Sequence, residues 1–345
     1  MSSTERNIHL GLLGASLALA VWVFGAQPRS AEPATHSHAR SKATAERSPL
    51  SILPPGSAFV LSTDLRALAR APLGAFIAER LGRSAGTSKL TRACGFDPIT
   101  RLDQLALAVP SAGLAAQEHP EDFGIVASGR FSVAEITRCA TTAITARGGE
   151  VIRTKLGSFD SVRDRKASGE IAARDGLLIV SGGSYFRELL DSAEGNAAAL
   201  AAGDPREASD TRHAELRRAL GSGAVLATWL LGEGWFARVA GEDTNARLSP
   251  LSALKTVAAR IDVEQNAELL VLLDCIDSDG ARRIASLLGE LRLALSGFPL
   301  DPTLVKLAAR ITVTRTEARL KLALSLNQAE LSAVLDLLLA VAPTP

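Results

Sequence analysis

Residues 256–295 read TVAARIDVEQNAELLVLLDCIDSDGARRIASLLGELRLAL, and this stretch decides the fold class. Thr256–Val263 and Glu268–Asp274 are apolar runs of strand length on either side of the tight turn Glu264–Ala267. Strands joined so closely must pair antiparallel, because a parallel pair needs a crossover of about a dozen residues or more. Asp277 or Ser278 then offers an N-cap, and Ser278–Leu295 reads as a helix. Upstream, Ala224–Leu231 is a strand followed by helical pieces through Ala253. Downstream, Ile311–Thr316 and Ala318–Leu324 form a second hairpin, and Gln328–Val341 is the last helix.

The same order of elements is legible earlier in the chain. Ala58–Thr63 is a strand after the turn-forming Pro54-Pro55-Gly56. Asp64 caps a helix that Pro72 kinks or divides. Leu105–Val109 and Phe123–Ser128 are strands, and Phe131–Arg147 is an amphipathic helix with Val133, Ile136, Ala140 and Ile144 on one face. Gly148-Gly149 ends it. Val151–Lys155, Ser158–Arg165 and Glu170–Val180 give further strands and hairpins, with Gly176 as a turn or bulge. Tyr185–Ala193 closes the half as a helix. The expected class is therefore α+β, with mainly antiparallel sheets, helices and two similar halves. Each half reads strand, helix, two strands, helix, hairpin, helix. The halves span 51–200 and 201–345, joined through Gly195–Asp210. The likeness lies in element order, with little residue identity.

Composition narrows the function classes. The chain has 345 residues, 38 Lys+Arg against 37 Asp+Glu, and a net charge of +1. That balance argues against a nucleic-acid binder, whose basic residues would dominate and cluster. Aromatics make up only 4%, so few rings exist for a base- or sugar-stacking platform.

The N-terminus points to a compartment. Leu10–Ala26 (LGLLGASLALAVWVFGA) carries no charge. As a helix it would be about 26 Å long, short for a bilayer core of about 30 Å and slightly long for a secretory apolar region. Residues 1–26 thus form a signal peptide or an N-terminal membrane anchor. Both readings place the rest outside the cytoplasm, either anchored in the inner membrane facing the periplasm or exported after cleavage. The best cleavage site, before Ala26, has Val23 and Gly25 at its small-residue positions. Residues 27–50 (QPRSAEPATHSHARSKATAERSPL) are too polar to order themselves. They form a linker spanning roughly 27 Å. Its His36-x-His38 lacks a third metal ligand nearby.

Candidate chemistry is sparse. Gly82-Arg83-Ser84-Ala85-Gly86 matches the G-x-S-x-G nucleophile elbow by letter, but a helix precedes it where the elbow needs a strand. The histidines downstream are His119 in a loop and His213 in a helical pattern. Asp274–Gly280 (DCIDSDG) is similar to a calcium loop, but Cys275 and Ser286 fall where carboxylates belong. Ser181-Gly182-Gly183-Ser184 opens a helix after an apolar strand and could seat a phosphate on backbone N–H groups. It lacks a complete nucleotide-binding motif. Arg163, Arg165 and Lys166 interleave with Asp160 and Asp164 on a polar hairpin, as a charged edge would. Trp229 and Trp235 flank the Gly232–Gly234 turn as core residues. No catalytic, cofactor-binding or metal-binding residue is nominated, and no cofactor is expected.

The three cysteines leave at least one unpaired. Cys275 ends an apolar run and reads as a small buried hydrophobe. Cys94 at a helix end and Cys139 on a core-facing helix side share one half, so Cys94–Cys139 is the expected disulfide. The alternative is three reduced thiols.

The run Cys94-Gly-Phe-Asp-Pro98, Leu102-Asp-Gln-Leu-Ala-Leu-Ala-Val109, Asp122-Phe-Gly-Ile-Val-Ala127 and Gly129-Arg-Phe131, before the helix holding Cys139, resembles uncharacterised exported envelope proteins of myxobacteria and their relatives. The resemblance covers about residues 50–195 and implies a compartment and a fold, with no activity. The expected function is a membrane-tethered or secreted envelope module, non-enzymatic, that binds or supports an envelope protein partner. Its other expected partner is the membrane, through the N-terminal segment; nucleic acid is not one. The competing readings are an apolar-ligand or lipid carrier, and a serine hydrolase on Ser84 or Ser184. Because residues 1–50 hold so few apolar anchor points past Ala26, a chain beginning at Ser48 should melt at the full-length midpoint. A drop of more than a few degrees would show that the terminal segment docks on the folded part.

Overall fold

The structure is a computed structural model and describes residues 48–82, 91–92, 94–97, 99–110, 122–183, 185–196, 205–240, 246–297 and 302–341. The apolar N-terminal segment, the linker through residue 47, Ser84, His119 and Ser184 lie outside these. Pro49–Ile52, at the end of the expected linker, is instead a 3-10 helix with Pro49 and Ile52 buried, so order begins earlier than Ser51. The chain divides into two compact units at Asp210/Thr211. That division falls inside a helix, at the C-terminal end of the expected junction.

In the first unit, β1 (Ser57–Asp64), β2 (Leu102–Pro110), β3 (Gly124–Gly129), β4 (Val151–Leu156), β5 (Phe159–Asp164), β6 (Gly169–Arg174) and β7 (Leu177–Gly182) lie in the order β1-β2-β3-β7-β6-β5-β4. Every one of these pairings is antiparallel. The Asp64 side chain ends β1 and starts α1 (Leu65–Arg70), accepting the Ala67 N–H at 2.7 Å. Ala71, extended because Pro72 follows it, separates α1 from α2 (Pro72–Gly82). A reciprocal capping box between Ser132 and Glu135 opens α3 (Val133–Ala146), and Gly148 leaves it with φ +77°. β6 and β7 turn through Asp175-Gly176, with Gly176 at φ +77°, a tight-turn signature. α4 (Tyr185–Glu194) then covers the sheet, sealing Ile52, Val126, Phe159, Ile179 and Leu189, none of them more than 0% exposed.

The second unit begins within α5 (Pro205–Leu220). Its strands are β8 (Val225–Leu230), β9 (Leu254–Val263), β10 (Ala267–Cys275), β11 (Thr312–Thr316) and β12 (Arg319–Leu326), in the order β8-β9-β10-β12-β11 and again antiparallel. α6 (Trp235–Ala240) follows β8, α7 (Ser278–Gly297) and α8 (Pro302–Arg310) separate β10 from β11, and α9 (Gln328–Val341) ends the unit. Leu216 and Leu220 of α5 pack on Ala258 and Leu272. Ala281 and Ile284 of α7 pack on Leu254, Leu273 and Leu320. Alternate residues of the same strands thereby serve different helices, as the pleat requires.

The α+β class and the antiparallel sheets follow the sequence reading. Strand for strand, β1-β2-β3-β7-β6 has the connectivity of β8-β9-β10-β12-β11. The strands read at Val151–Lys155 and Ser158–Arg165 are β4 and β5, and they make the first half longer than the shared order by one hairpin, added outside β6. The cause is the turn at Gly157-Ser158, where φ of +56° at Gly157 lets the chain fold back. Helix α5 extends the helical pattern read around His213 back to Pro205, through a polar stretch of weak apolar periodicity, and α8 had no reading from sequence despite its amphipathic spacing, being only nine residues long.

Gly124 in β3 shows how tightly α4 seats. A Cβ there would lie 2.5 Å from Leu189 Cδ1 and 2.8 Å from the Tyr185 ring. Gly124→Ala should therefore destabilise the protein by about 1–3 kcal/mol through overpacking, read as a lower denaturant midpoint; a neutral result would mean that α4 is free to shift.

Candidate functional site

The most concentrated side-chain chemistry in the described residues gathers at one end of β10. Asp274 stands directly opposite Thr256 of β9 and Arg319 of β12, so register alone places the three on one face. Arg212 reaches the same carboxylate from α5. Arg319 grips Asp274 with both arms, Nε to Oδ1 at 2.5 Å and Nη2 to Oδ2 at 3.0 Å. Arg212 Nη2 donates to Oδ2 at 2.7 Å, and Thr256 Oγ1 donates to it at 3.1 Å. The second arm of Arg212 holds Glu215 at 2.9 Å. Asp274 is only 7% exposed. An open hollow of about 330 Å³ lies beside it, lined by Arg212, Cys275, Glu317 and Arg319 among others.

Burial pushes the Asp274 carboxyl up, but the hydrogen bonds and charges of Arg319, Thr256 and Arg212 together outweigh it and hold it below the ordinary carboxylate range. A carboxylate engaged by four donors is a poor base and a poor nucleophile. Burial, with the charges of Asp274 and Asp277, pushes the Cys275 thiol up, so it stays protonated at neutral pH. The cluster is therefore a clamp that ties α5, β9, β10 and β12 together.

The other sequence candidates resolve as architecture. Asp277 Oδ1 accepts the Gly280 N–H at 2.6 Å, as the N-cap of α7. Among the described residues no group of three His, Cys, Asp or Glu is placed to hold a metal. At Ser181–Gly183, the Ser181 hydroxyl donates to the Phe123 carbonyl at 2.5 Å, and the Asp122 carboxylate occupies the space beside Gly183. A phosphate brought there would meet that carboxylate. His213 is 1% exposed, with Nδ1 2.7 Å from Thr228 Oγ1, which withdraws it from any substrate. Arg165 pairs with Glu150 at 3.0 Å, and Asp164 accepts the Lys166 and Glu150 N–H groups, so the charged hairpin binds its own loop. The Lys166 amide bond leads the effects that, against burial, hold the Asp164 carboxyl below its usual range. Trp235 donates to the Leu254 carbonyl at 3.1 Å and stacks edge-on with Phe236, in the manner of a packing residue. Cys94 and Cys139 form a disulfide, with Cα atoms 4.2 Å apart.

The reading from sequence missed the Asp274 clamp. Asp274 and Arg319 are far apart in the chain, and only the β10–β12 register brings them together. The available signal was an aspartate within an apolar strand, which needs a partner when buried.

No family model matches the chain. No curated protein matches it. Among solved structures, crystal form III of TP0453 is similar over 84% of this chain and 98% of its own, at 12% identity and a TM-score of 0.49. Crystal form I of TP0453 is similar over 85% and 98%, at 12% identity and a TM-score of 0.44.

The clamp has a pH signature. A carboxyl lowered on folding adds stability above its unfolded pKa, near 3.9, and that stability is lost as pH falls through the lower folded value. Asp274→Asn should cost about 2–4 kcal/mol at pH 7, less than a fully buried pair because both arginines reach solvent. It should also flatten the acid limb of the stability curve below about pH 4. An unchanged acid limb would assign acid sensitivity to other carboxylates.

Proposed function

We propose that this protein is a membrane-tethered or exported envelope module that works by binding a protein partner and performs no chemistry of its own. One observation carries the reading. A charge-free segment, Leu10–Ala26, and a polar linker precede two folded units, the first of which contains the Cys94–Cys139 disulfide. Such bonds persist outside the reducing cytosol, so the cross-link and the apolar segment support the same side of the membrane. Among the described residues no helix is long and apolar enough to cross a membrane. We assign the tether to Leu10–Ala26 on its charge-free length, in keeping with the resemblance to exported envelope proteins.

The absence of catalysis is inferred from how the polar residues are engaged. Asp274, Asp164 and His213, the strongest candidates for acid–base work among the described residues, are each committed to holding strands, a loop or a helix.

A reporter enzyme active only outside the cytoplasm, fused after Leu50, should be active, and Cys94 and Cys139 should resist alkylation until reductant is added. Activity of a cytoplasm-only reporter at that junction, or ready alkylation of both thiols in the folded chain, would overturn the localisation and with it this function.

A further inference from the structure

The two halves place equivalent strands in very different surroundings. β6 of the first half is covered along its outer side by β5, whereas its counterpart β11 is outermost in the second unit and all five of its residues are exposed. Both belong to two-residue hairpins, with Arg174 opposite Leu177 in one and Thr316 opposite Arg319 in the other. Aligning these pairs matches Ala173 with Arg315, Ala172 with Thr314 and Ile171 with Val313. In β5 the residues facing these β6 positions are Asp160, Ser161 and Val162.

We propose that the outer edge of β11 is a docking site for an extended segment of a protein partner, which adds antiparallel as β5 adds to β6. That segment presents an acidic residue opposite Arg315, a small hydroxyl residue opposite Thr314 and a β-branched apolar residue opposite Val313. The proposal rests on the reading of the chain as a binding module and gives that binding a place.

Three observations support this occupant. The tight turn makes Thr316–Arg319 a hydrogen-bonded pair, so alternate residues of β11 face β12 and the N–H and C=O groups of Val313 and Arg315 point outward. Four of the five residues, Thr312, Val313, Thr314 and Thr316, are β-branched and uncharged, which suits added pairing. The outermost strand of the first unit, β4, instead exposes Arg153 and Lys155, cations that blunt an edge. Charge selects the partner: Arg315 is a cation without an ion-pair partner among the described residues, and the residue matching its neighbour in β5 is Asp160. A second copy fits less well. Self-pairing about Thr314 would make the two Arg315 side chains diagonal neighbours on one face, with no carboxylate between them.

Register-specific trapping tests the site in the full chain, held in mild detergent. Thr314 and the residue facing it form a non-hydrogen-bonded pair, whose Cα atoms lie about 4.5 Å apart, within disulfide reach. The probe is the peptide GSFDSVRDR, residues 157–165 of this chain, with cysteine in place of Ser161 or of Val162. Under a glutathione redox buffer, Thr314→Cys should trap the first peptide at least tenfold more than the second. Adding Val313→Pro, which removes one outward N–H and no β11–β12 bond, should abolish trapping without moving the melting midpoint. Reversing the peptide charge, with arginine in place of Asp160, should weaken trapping several-fold. Equal or absent trapping of the two peptides would overturn the site, and so would a Thr314→Cys protein that cross-links to itself in preference, which would make a second copy the occupant. Loss of the site with the external reporter still active would remove the β11 proposal and leave the localisation standing.

Discussion

Each half is held shut by one ladder, the pairing of its third strand with its last. β3 meets β7 with Val126 opposite Ile179, and β10 meets β12 with Leu273 opposite Leu320. One helix and three strands intervene in the first half, and two helices and one strand in the second, so the ladder joins residues about fifty positions apart. That long closure costs chain entropy. The return comes from burying the helix between the strands and the sheet they build. Phe159 and Leu189 in the first half, and Ile284 and Leu320 in the second, are buried because these ladders close.

The halves reinforce the closure differently. In the first, the Cys94–Cys139 cross-link ties the segment before β2 to α3 and spans a sequence separation of 45 residues. In the chain-entropy account such a loop adds about 4 kcal/mol. In the second, the Asp274 clamp sits at the end of the closing ladder and binds α5 to it. One half uses a covalent constraint on the unfolded chain, while the other relies on a charged cluster whose contribution depends on pH. The two should respond separately to reductant and to acid.

Much of this architecture was legible because the strands advertise themselves. The runs around Val60, Val126 and Leu272 are apolar, short and bounded by turn residues. The cap at Asp64 follows simple hydrogen-bond chemistry, whereas the Ser132 cap, inside the helix read from Phe131, emerged only with the structure. Only the C-terminal part of α5, around His213, showed a helical pattern, because its first turns mix charge with alanine, and α8 is a short helix of nine residues that its length made easy to miss. The strands of the extra hairpin were legible on either side of Gly157 as Val151–Lys155 and Ser158–Arg165, but their place outside β6 was not, because that depends on pairing. At the candidate site, the caps and loop aspartates could be weighed locally. The clamp could not, because which arginine meets Asp274 is a matter of register. The openness of β11 was equally invisible, since exposure depends on which strand the chain leaves last in the sheet.

The β4–β5 hairpin has a consequence for the order in which the chain finds itself. Two halves with the same connectivity invite mispairing, since a third strand from one can accept the last strand of the other. The low residue identity between the halves weakens such exchanges. The hairpin weakens them further, because a β12 captured by β3 would leave β7, and β4, β5 and β6 built out from it, with no edge to join and Phe159 in water. Misassembled chains thus expose a large aromatic residue that correct ones hide, a difference in solubility that drives the search back toward the native pairing.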